Sequence, residues 1–533
     1  MLTDVVASQA FPSDLEHAIA FDHLGVVQRE RTHYAQAEDS LARALTLLEN
    51  NSAAEARRAR AQVFNDRGGL RTYESDFRGA LEAFHQALEL YRDLGMLRTV
   101  DAAKVLNNIG NAHRELGDTG QARSALLQAL DLKTELLGVD NPSTASTITN
   151  LGMVAEESHD YLGAQTYYAR ALAIYEKSLG ANHANVASVA EQYGRLRFTT
   201  AQYADALQLL ERARAIRERE FGLYSTWSAE TLVDLVPVYG QLGQRRRARD
   251  SAERALTIAV TGREQELLYD SYMSYARTLA APGQSSAAIF FGKRALNVIQ
   301  QMRERDVPPT KREQRFFIMR REFMYRDVAD WLLSQSRLVE AEEVLDLLKA
   351  EELADYAQLP ARPAESVTAR VGLVQGEVQA AATLDAAIQN LAQQLGAVRL
   401  ESSLLAAARA DFRSKLKEIV ASLADPNPNP ERTQRDLATL SPSPRDSAIV
   451  RYLVLADRVR ILVRTPTTLF AQSVKIDRTE LSRQVLELHH RLQSHLRAEA
   501  AARTLFQELI APISSTLALA EIHDLVLMPD DVL

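Results

Sequence analysis

Asn107, Asn108, Asn111 and Asn150 carry the most distinctive chemistry in this 533-residue chain. Asparagine is a mediocre helix former, yet three of these fall within five positions of a segment that otherwise reads as helix. A carboxamide offers both a donor and an acceptor, so several on one helical face suit recognition of an extended peptide backbone. Covalent chemistry has far less support. The chain contains no Cys, which removes a thiolate nucleophile, a disulfide framework and any Cys-ligated metal. Gly292-Lys293-Arg294 lacks the upstream glycine and the following Ser/Thr of a phosphate loop. There is no Gly-x-Ser-x-Gly elbow and no His-Glu-x-x-His. His489, His490 and His495 share one predicted helix, but the last two lie five residues apart, about 140° off a common face. Arg245-Arg246-Arg247 with Arg249 reads as a solvated face at a turn rather than a phosphate patch. No catalytic residue, metal site or cofactor is expected.

The elements that position the asparagines follow from a repeat. Ala37, Ala80, Ala122, Ala164, Ala206, Ala248, Ala288 and Ala341 are spaced by 43, 42, 42, 42, 42, 40 and 53 residues. Seven residues after each lies Ala44, Ala87, Ala129, Ala171, Ala213, Ala255, Ala295 and then Leu348. Twelve before each lies Gly25, Gly68, Gly110, Gly152, Gly194, Val236, Ala276 and Ala329. Small residues at fixed places let two helices approach closely, and stacked helix pairs bury a continuous core that one pair cannot. Phe84, Leu126, Tyr168 and Leu210 lie four residues after the first alanine and fill the gaps. Leu116-Gly117-Asp118 and Leu242-Gly243-Gln244 mark turns within pairs.

These positions resemble the tetratricopeptide repeat, with a period of 42 residues where about 34 is usual. The extra length is similar to kinesin light chain repeats, whose connector reads Leu-Gly-x-x-His-Pro-x-x-Ala. The counterparts here are Leu137-Gly138-Val139-Asp140-Asn141-Pro142-Ser143-Thr144-Ala145 and Leu179-Gly180-Ala181-Asn182-His183-Ala184-Asn185-Val186-Ala187. The resemblance covers roughly residues 15–355 and implies a right-handed α-α superhelix of about eight units over 1–356. The last two units are degraded, and 303–321 reads as an inserted loop or a lengthened helix. In this family the second, fifth, sixth and ninth positions of each first helix commonly touch a peptide. Carried over, they are Asp22, His23, Asn65, Asp66, Lys104, Asn107, Asn108, Asn111, Asn150, Glu191, Gln192 and Arg195. Asn65, Lys104, Asn107, Asn108, Asn111, Asn150, Gln192 and Arg195 are the expected groove.

Pro360 and Pro363 open a second region, 357–446, of long helices with Pro-rich connections. Leu384, Ile388, Leu391, Leu395 and Val398 have heptad-like spacing, read as an intramolecular helical hairpin rather than a free coiled-coil dimer. Asp425–Pro430 and Ser441–Pro444 bound a flexible connection. From Ser447 the period becomes two: Ala448–Ala456 and Val459–Arg464 read as strands around a tight turn, and Leu469–Ile476 as a third. Two helices, from Asp477 and from about Ala500, precede a strand at 523–528. The Tyr452 hairpin, the Leu505–Ile513 helix and the Leu525–Asp530 strand resemble the start of a CHAT domain. That caspase-like module is often found behind tetratricopeptide arrays in bacteria. The resemblance makes 447–533 a partial α/β domain that includes none of the family's catalytic His or Cys. Half a caspase-type sheet implies an unpaired edge and an uncovered apolar face, with a second chain as a candidate to complete it.

Composition sets the remaining bounds. Hydrophobic residues are 46% and charged residues 25%, ordinary for a soluble globular chain. A net charge of −8 with 6% aromatics disfavours nucleic-acid binding. No long apolar run predicts a membrane span, and the N-terminus has no signal-peptide pattern; the expected compartment is the cytoplasm. The expected function is a non-catalytic protein- or peptide-binding scaffold, the sensor module of a TPR-CHAT protein. The alternative is a fragment or subunit of a caspase-like cysteine peptidase whose catalytic half lies elsewhere.

Overall fold

A computed structural model describes residues 11–31, 33–262, 264–280, 284–305, 321–356, 370–396, 402–423, 447–494, 496–519, 522, 524–528 and 530. Most of the 303–321 insertion, both Pro-rich connections, Val398 and His495 lie outside them. The chain divides into two compact units, between Gln244 and Arg245.

The first unit is a series of helices: α1 (Asp14–Glu30), α2 (Tyr34–Leu48), α3 (Ala54–Tyr73), α4 (Phe77–Asp93), α5 (Val100–Glu115), α6 (Thr119–Leu137), α7 (Pro142–Glu157), α8 (Tyr161–Leu179), α9 (Ala184–Thr199), α10 (Tyr203–Phe221) and α11 (Thr226–Gln241). They pair in sequence, α1 with α2 through α9 with α10, as in a tetratricopeptide-type superhelix. The first helices of successive pairs also touch. The glycine column explains the close pairing. A Cβ added to Gly110 would fall 2.5 Å from the Leu126 side chain, and one on Gly152 would fall 2.6 Å from the Tyr168 ring. Tyr168 is fully buried at the centre of a core that includes Ala164, Ala171, Tyr175 and Tyr193.

The turns repeat too. Ser75, Gly117, His159 and Ala201 all have φ between 60° and 76°, and they recur in step with the alanine and glycine columns. Each follows the last turn of a first helix. At Ala201 the amide donates to Phe198 O (3.0 Å), and the next amide, of Gln202, donates back to Arg197 O (2.8 Å), the left-handed stop that satisfies terminal carbonyls. The longer connectors end α6, α8 and α10 on Gly138, Gly180 and Gly222, with φ near 90°. Asn141, His183 and Ser225 then cap the next helices through their side chains.

The second unit begins with further helices: α12 (Arg245–Ala259), α13 (Gln265–Leu279), α14 (Ser285–Arg305), α15 (Glu322–Ser334), α16 (Leu338–Tyr356), α17 (Gln375–Gly396) and α18 (Ser402–Ser422). The α13–α14, α15–α16 and α17–α18 neighbours pack as pairs. The heptad-like stripe buries Leu384 and Leu391, and the hairpin is held within the chain. Arg413 bonds Asp250 (2.5 Å) and Glu253 (3.2 Å) on α12. Fully buried Lys293 of α14 bonds Glu340, Glu377 (2.9 Å) and Gly372 O (2.7 Å).

A four-stranded sheet follows, of β1 (Ser447–Val454), β2 (Val459–Arg464), β3 (Leu469–Val474) and β4 (Asp524–Met528), in the order β3-β2-β1-β4. β1–β2 and β2–β3 are antiparallel, and β1–β4 is parallel, with Ser447 opposite Asp524. Between β3 and β4 lie α19 (Arg478–Gln493), α20 (Glu499–Leu509) and α21 (Ala511–Leu519). Alternation sorts β1 to two faces. Ala448, Val450, Tyr452 and Val454 pack with Leu481, Leu505, Ile513 and Leu517 of these helices.

The opposite face departs from expectation: it is covered, by ion pairs. Arg451 bonds Glu342 and Asp346 (2.7 Å) on α16, Arg464 lies 3.3 Å from Glu342, and Arg458 and Arg460 bond Asp330 of α15 at 2.7 and 2.8 Å. Arginines share this face with buried Leu453 and Leu462, and acidic helix residues meet the arginines. Leu525, Val526 and Leu527 are 39–49% exposed on β4, which has no strand beyond it among the described residues.

Candidate functional site

The groove positions lie on α1, α3, α5, α7 and α9, and the asparagines among them connect neighbouring helices. Asn108 Nδ2 of α5 donates to Asn65 Oδ1 of α3 at 3.0 Å. One repeat on, Asn150 Nδ2 of α7 donates to Asn107 Oδ1 of α5 at 3.1 Å, and Thr147 Oγ1 donates to the same oxygen at 3.0 Å. Asn107 is 8% exposed, so its carbonyl serves the joint between two helices. Asn111, one turn further along α5, differs: its Oδ1 is buried and has no hydrogen-bond partner. A buried amide oxygen left unpaired is uncommon.

The other candidates flank this centre. Lys104 is exposed, 4.0 Å from Asp101 on its own helix. Gln192 accepts from Arg195, and exposed Arg195 lies 3.9 Å from Asp234 of α11. The structure therefore joins Asn65 with Asn108, Asn107 with Asn150, and Gln192 with Arg195. It leaves Lys104 and Asn111 outside these bonds. His23 is exposed, whereas Glu191 is buried in an ion pair.

At the α1 end, Asp22 is 5% exposed and its Oδ1 has no hydrogen-bond partner. Burial, with the nearby charge of Asp66, pushes its carboxyl up to about 7. Asp66 is itself raised by burial, though Gln62 donates to it at 2.8 Å. A carboxyl raised on folding stabilises the fold while protonated, so the contribution of Asp22 is present at pH 4 and is lost as pH rises through about 7. Asp22→Asn removes that loss. Melting temperatures of wild type and Asp22→Asn should converge at pH 4 and separate at pH 8, with the variant higher; parallel curves would refute the assignment.

Two buried cations went unnoticed in the sequence, although the repeat register points to them. Arg217 is 3% exposed. Its guanidinium bonds both oxygens of Glu191 at 2.8 Å, Thr231 Oγ1 at 3.1 Å and Trp227 O at 2.7 Å. Thr231 Oγ1 also donates to Glu191 at 2.7 Å. Lys133 stands at the equivalent place two repeats earlier and is likewise 3% exposed. It donates to Thr147 Oγ1 at 2.8 Å and Ser143 O at 3.1 Å.

A second cluster missed in the sequence lies in the other unit. Asp530 accepts both Arg326 guanidinium nitrogens and the Val454 amide (2.5 Å). Arg326 also donates to Val454 O at 2.9 Å. This clasp ties α15 to the end of β1. A small pocket beside it is lined by Leu345, Leu348, Arg451, Tyr452, Leu453, Met528 and Asp530.

The remaining chemical candidates stay apart. His489 and His490 are exposed on α19, and Arg245, Arg246 and Arg247 are exposed at the start of α12. Among the described residues no cluster of three His, Asp or Glu could hold a metal, and no helix is long and apolar enough to cross a membrane.

The tetratricopeptide repeat family model matches residues 57–135, 101–177, 143–219 and 187–261. No curated protein matches the chain. Among solved structures, BtubC (BKLC) from P. vanneervenii is 23% identical, over 46% of this chain and 90% of that one, with a TM-score of 0.34. A Rap protein complexed with competence and sporulation factor is 14% identical, over 64% and 99%, with a TM-score of 0.42. The apo quorum sensor NprR from B. thuringiensis is 12% identical, over 62% and 88%, with a TM-score of 0.47. Paired helices, a regular period in the small residues and the matching family model together make residues 57–261 an array of tetratricopeptide repeats.

Proposed function

We propose that the chain is a protein- or peptide-binding scaffold whose groove, on α3, α5, α7 and α9, takes an extended peptide segment. The observation that carries this is Asn111 Oδ1, buried without a partner beside the Asn107–Asn150 rung. The Asn111 side chain is half-buried, and a turn of its carboxamide would bring that oxygen to a backbone N–H of a bound strand. Exposed Lys104 and Arg195 extend the polar strip to either side.

The experiment is a selection of peptides on the full chain, followed by titration against Asn111→Ala. Affinity should fall about tenfold, the worth of one hydrogen bond to a buried group, with the melting temperature unchanged or raised. Undiminished affinity would sink the groove assignment. Asn107 is unsuited to this test, because its loss would also open the joint with Thr147 and Asn150.

For 447–533 we carry forward the CHAT-like reading, with the repeats as sensor. What supports it is the strand order, with two antiparallel neighbours on one side of β1 and a parallel β4 on the other. In that reading the Arg326–Asp530 clasp and the Arg451–Glu342 pair link the α15–α16 helix pair to the sheet. A change in helix packing then reaches β1 only if a ligand favours one packing over the other.

A further inference from the structure

A second surface of the first unit lies apart from the groove positions. Phe221, Leu223, Tyr224 and Trp227 are 38–53% exposed. All four fall within seven residues, from the last position of α10 to the first turn of α11. The equivalent connectors are polar at the same register. Asp140 and Ser143, then Asn182 and Asn185, stand where this one has Tyr224 and Trp227. Large aromatics usually bury most of their surface, so several half in water on one connector mark a contact surface.

The patch is held in shape. Gly222 has φ of 90° and Ser225 caps α11. Arg219 donates to Asn182 O of the preceding connector at 2.6 Å, and Arg212 donates to Ala181 O at 2.9 Å. Buried Arg217 donates to Trp227 O at 2.7 Å and lies over the indole ring at 5.5 Å, which covers one ring face from within the chain. The Phe221 ring sits 5.9 Å from that of Trp227, tilted by 34°. Side chains fixed in advance lose little entropy on binding.

The chemistry of the patch selects its occupant. Among its described residues the first unit has no strand, so it offers no sheet edge to extend. Seven residues across a turn are too few to seat the successive turns of a docked helix. The neighbouring charges are matched within the chain, Arg217 by Glu191 and Glu230, and Arg219 by Glu220, which favours an uncharged segment. Among the described residues nothing accepts from the indole N–H of Trp227. The patch thus presents one donor among apolar ring faces. Proline answers both, because it carries a carbonyl and has no N–H to leave unpaired on an apolar surface. In a polyproline II helix the ring faces and carbonyls all point outward.

We infer that the α10–α11 connector is a docking site for a proline-rich segment of a partner protein. Its pyrrolidine rings pack on Phe221, Tyr224 and Trp227, and one of its carbonyls accepts from the Trp227 indole. The site is separate from the groove and does not depend on it.

The test uses NMR of the full chain with tryptophan labelled at Nε1. Two indole signals are expected, from Trp227 and Trp331, and Trp227→Phe identifies the first. Acetylated, amidated hexaproline should shift the Trp227 signal saturably and leave Trp331 in place. A glycine–serine peptide of equal length should shift neither. Tyr224→Ala should weaken hexaproline binding about tenfold at unchanged melting temperature, whereas Asn111→Ala should leave it unaltered. Should Tyr224→Ala unfold, Leu223→Ser gives the same reading at another exposed side chain. The absence of a saturable shift with hexaproline, or an equal one with the glycine–serine peptide, overturns the proposal. A shift with cellohexaose alone reassigns the rings to a sugar, and one that follows protein concentration alone reassigns them to a second copy of the chain; both also overturn it.

Discussion

Glu191→Ala will destabilise the first unit by about 3–5 kcal/mol, the cost of leaving a buried charge without its partner. Arg217 would keep Thr231, the Trp227 carbonyl and Glu230, which lies 3.1 Å away and is 40% exposed at its side chain. None of these replaces a carboxylate gripped by two nitrogens at 4–5% side-chain exposure. The loss should concentrate on α9, α10 and α11, the three helices that the network joins. Hydrogen exchange of their amides reads it directly, with thermal unfolding as the global measure. Glu191→Met combined with Arg217→Met should cost less than Glu191→Ala alone, because it strands no charge. A double variant as damaged as the single one would show that packing, not electrostatics, sets the effect.

Asp530→Ala is the second large effect, and it falls on the other unit. The substitution removes a bidentate partner of Arg326 and leaves the Val454 amide at the end of β1 without its acceptor. Glu322 remains on Arg326, one helical turn away, so the expected cost is about 3 kcal/mol, the lower part of the range for a broken buried pair. Loss of amide protection in β1 and β4, with α12 to α14 unchanged, is the expected signature. Arg326→Lys should recover little, since a point charge cannot reproduce the two-pronged contact. Uniform protection across the variant would refute the clasp.

The helix pairs were legible because their cause is periodic. Gly110 and Gly152 recur at the register of Leu126 and Tyr168, and only a missing side chain lets those bulky groups in. The strands were legible because Ala448–Ala456 and Val459–Arg464 are short runs rich in β-branched and other apolar residues, bounded by the Asp457-Arg458 turn. What lay hidden depends on partners far away in the chain. Arg451 in a strand says nothing of Glu342, on a helix far earlier in the sequence. Asn107 looked like a ligand contact by position, but its carbonyl is engaged by the next helix through Thr147 and Asn150. The contrast between Asn107 and Glu191, and between Lys133 and Arg217, was present in the repeat register all along. It acquires meaning only when Thr147 and Thr231 are seen between them.

The pairing of β1 with β4 has a kinetic consequence. Each helix pair closes between neighbours in the chain, through turns of a few residues, and such local contacts form quickly. Ser447 and Asp524 meet only after two strands, three helices and their connections have been gathered in, a far larger loop to close before any contact rewards it. The β1–β3 hairpins can assemble early, while β4 joins last. Until it does, the inner edge of β1 and the Leu525-Val526-Leu527 run are both open to the wrong partner. The yield of correctly folded protein should therefore depend on concentration during refolding, with the stretch around β4 as the segment through which chains first associate.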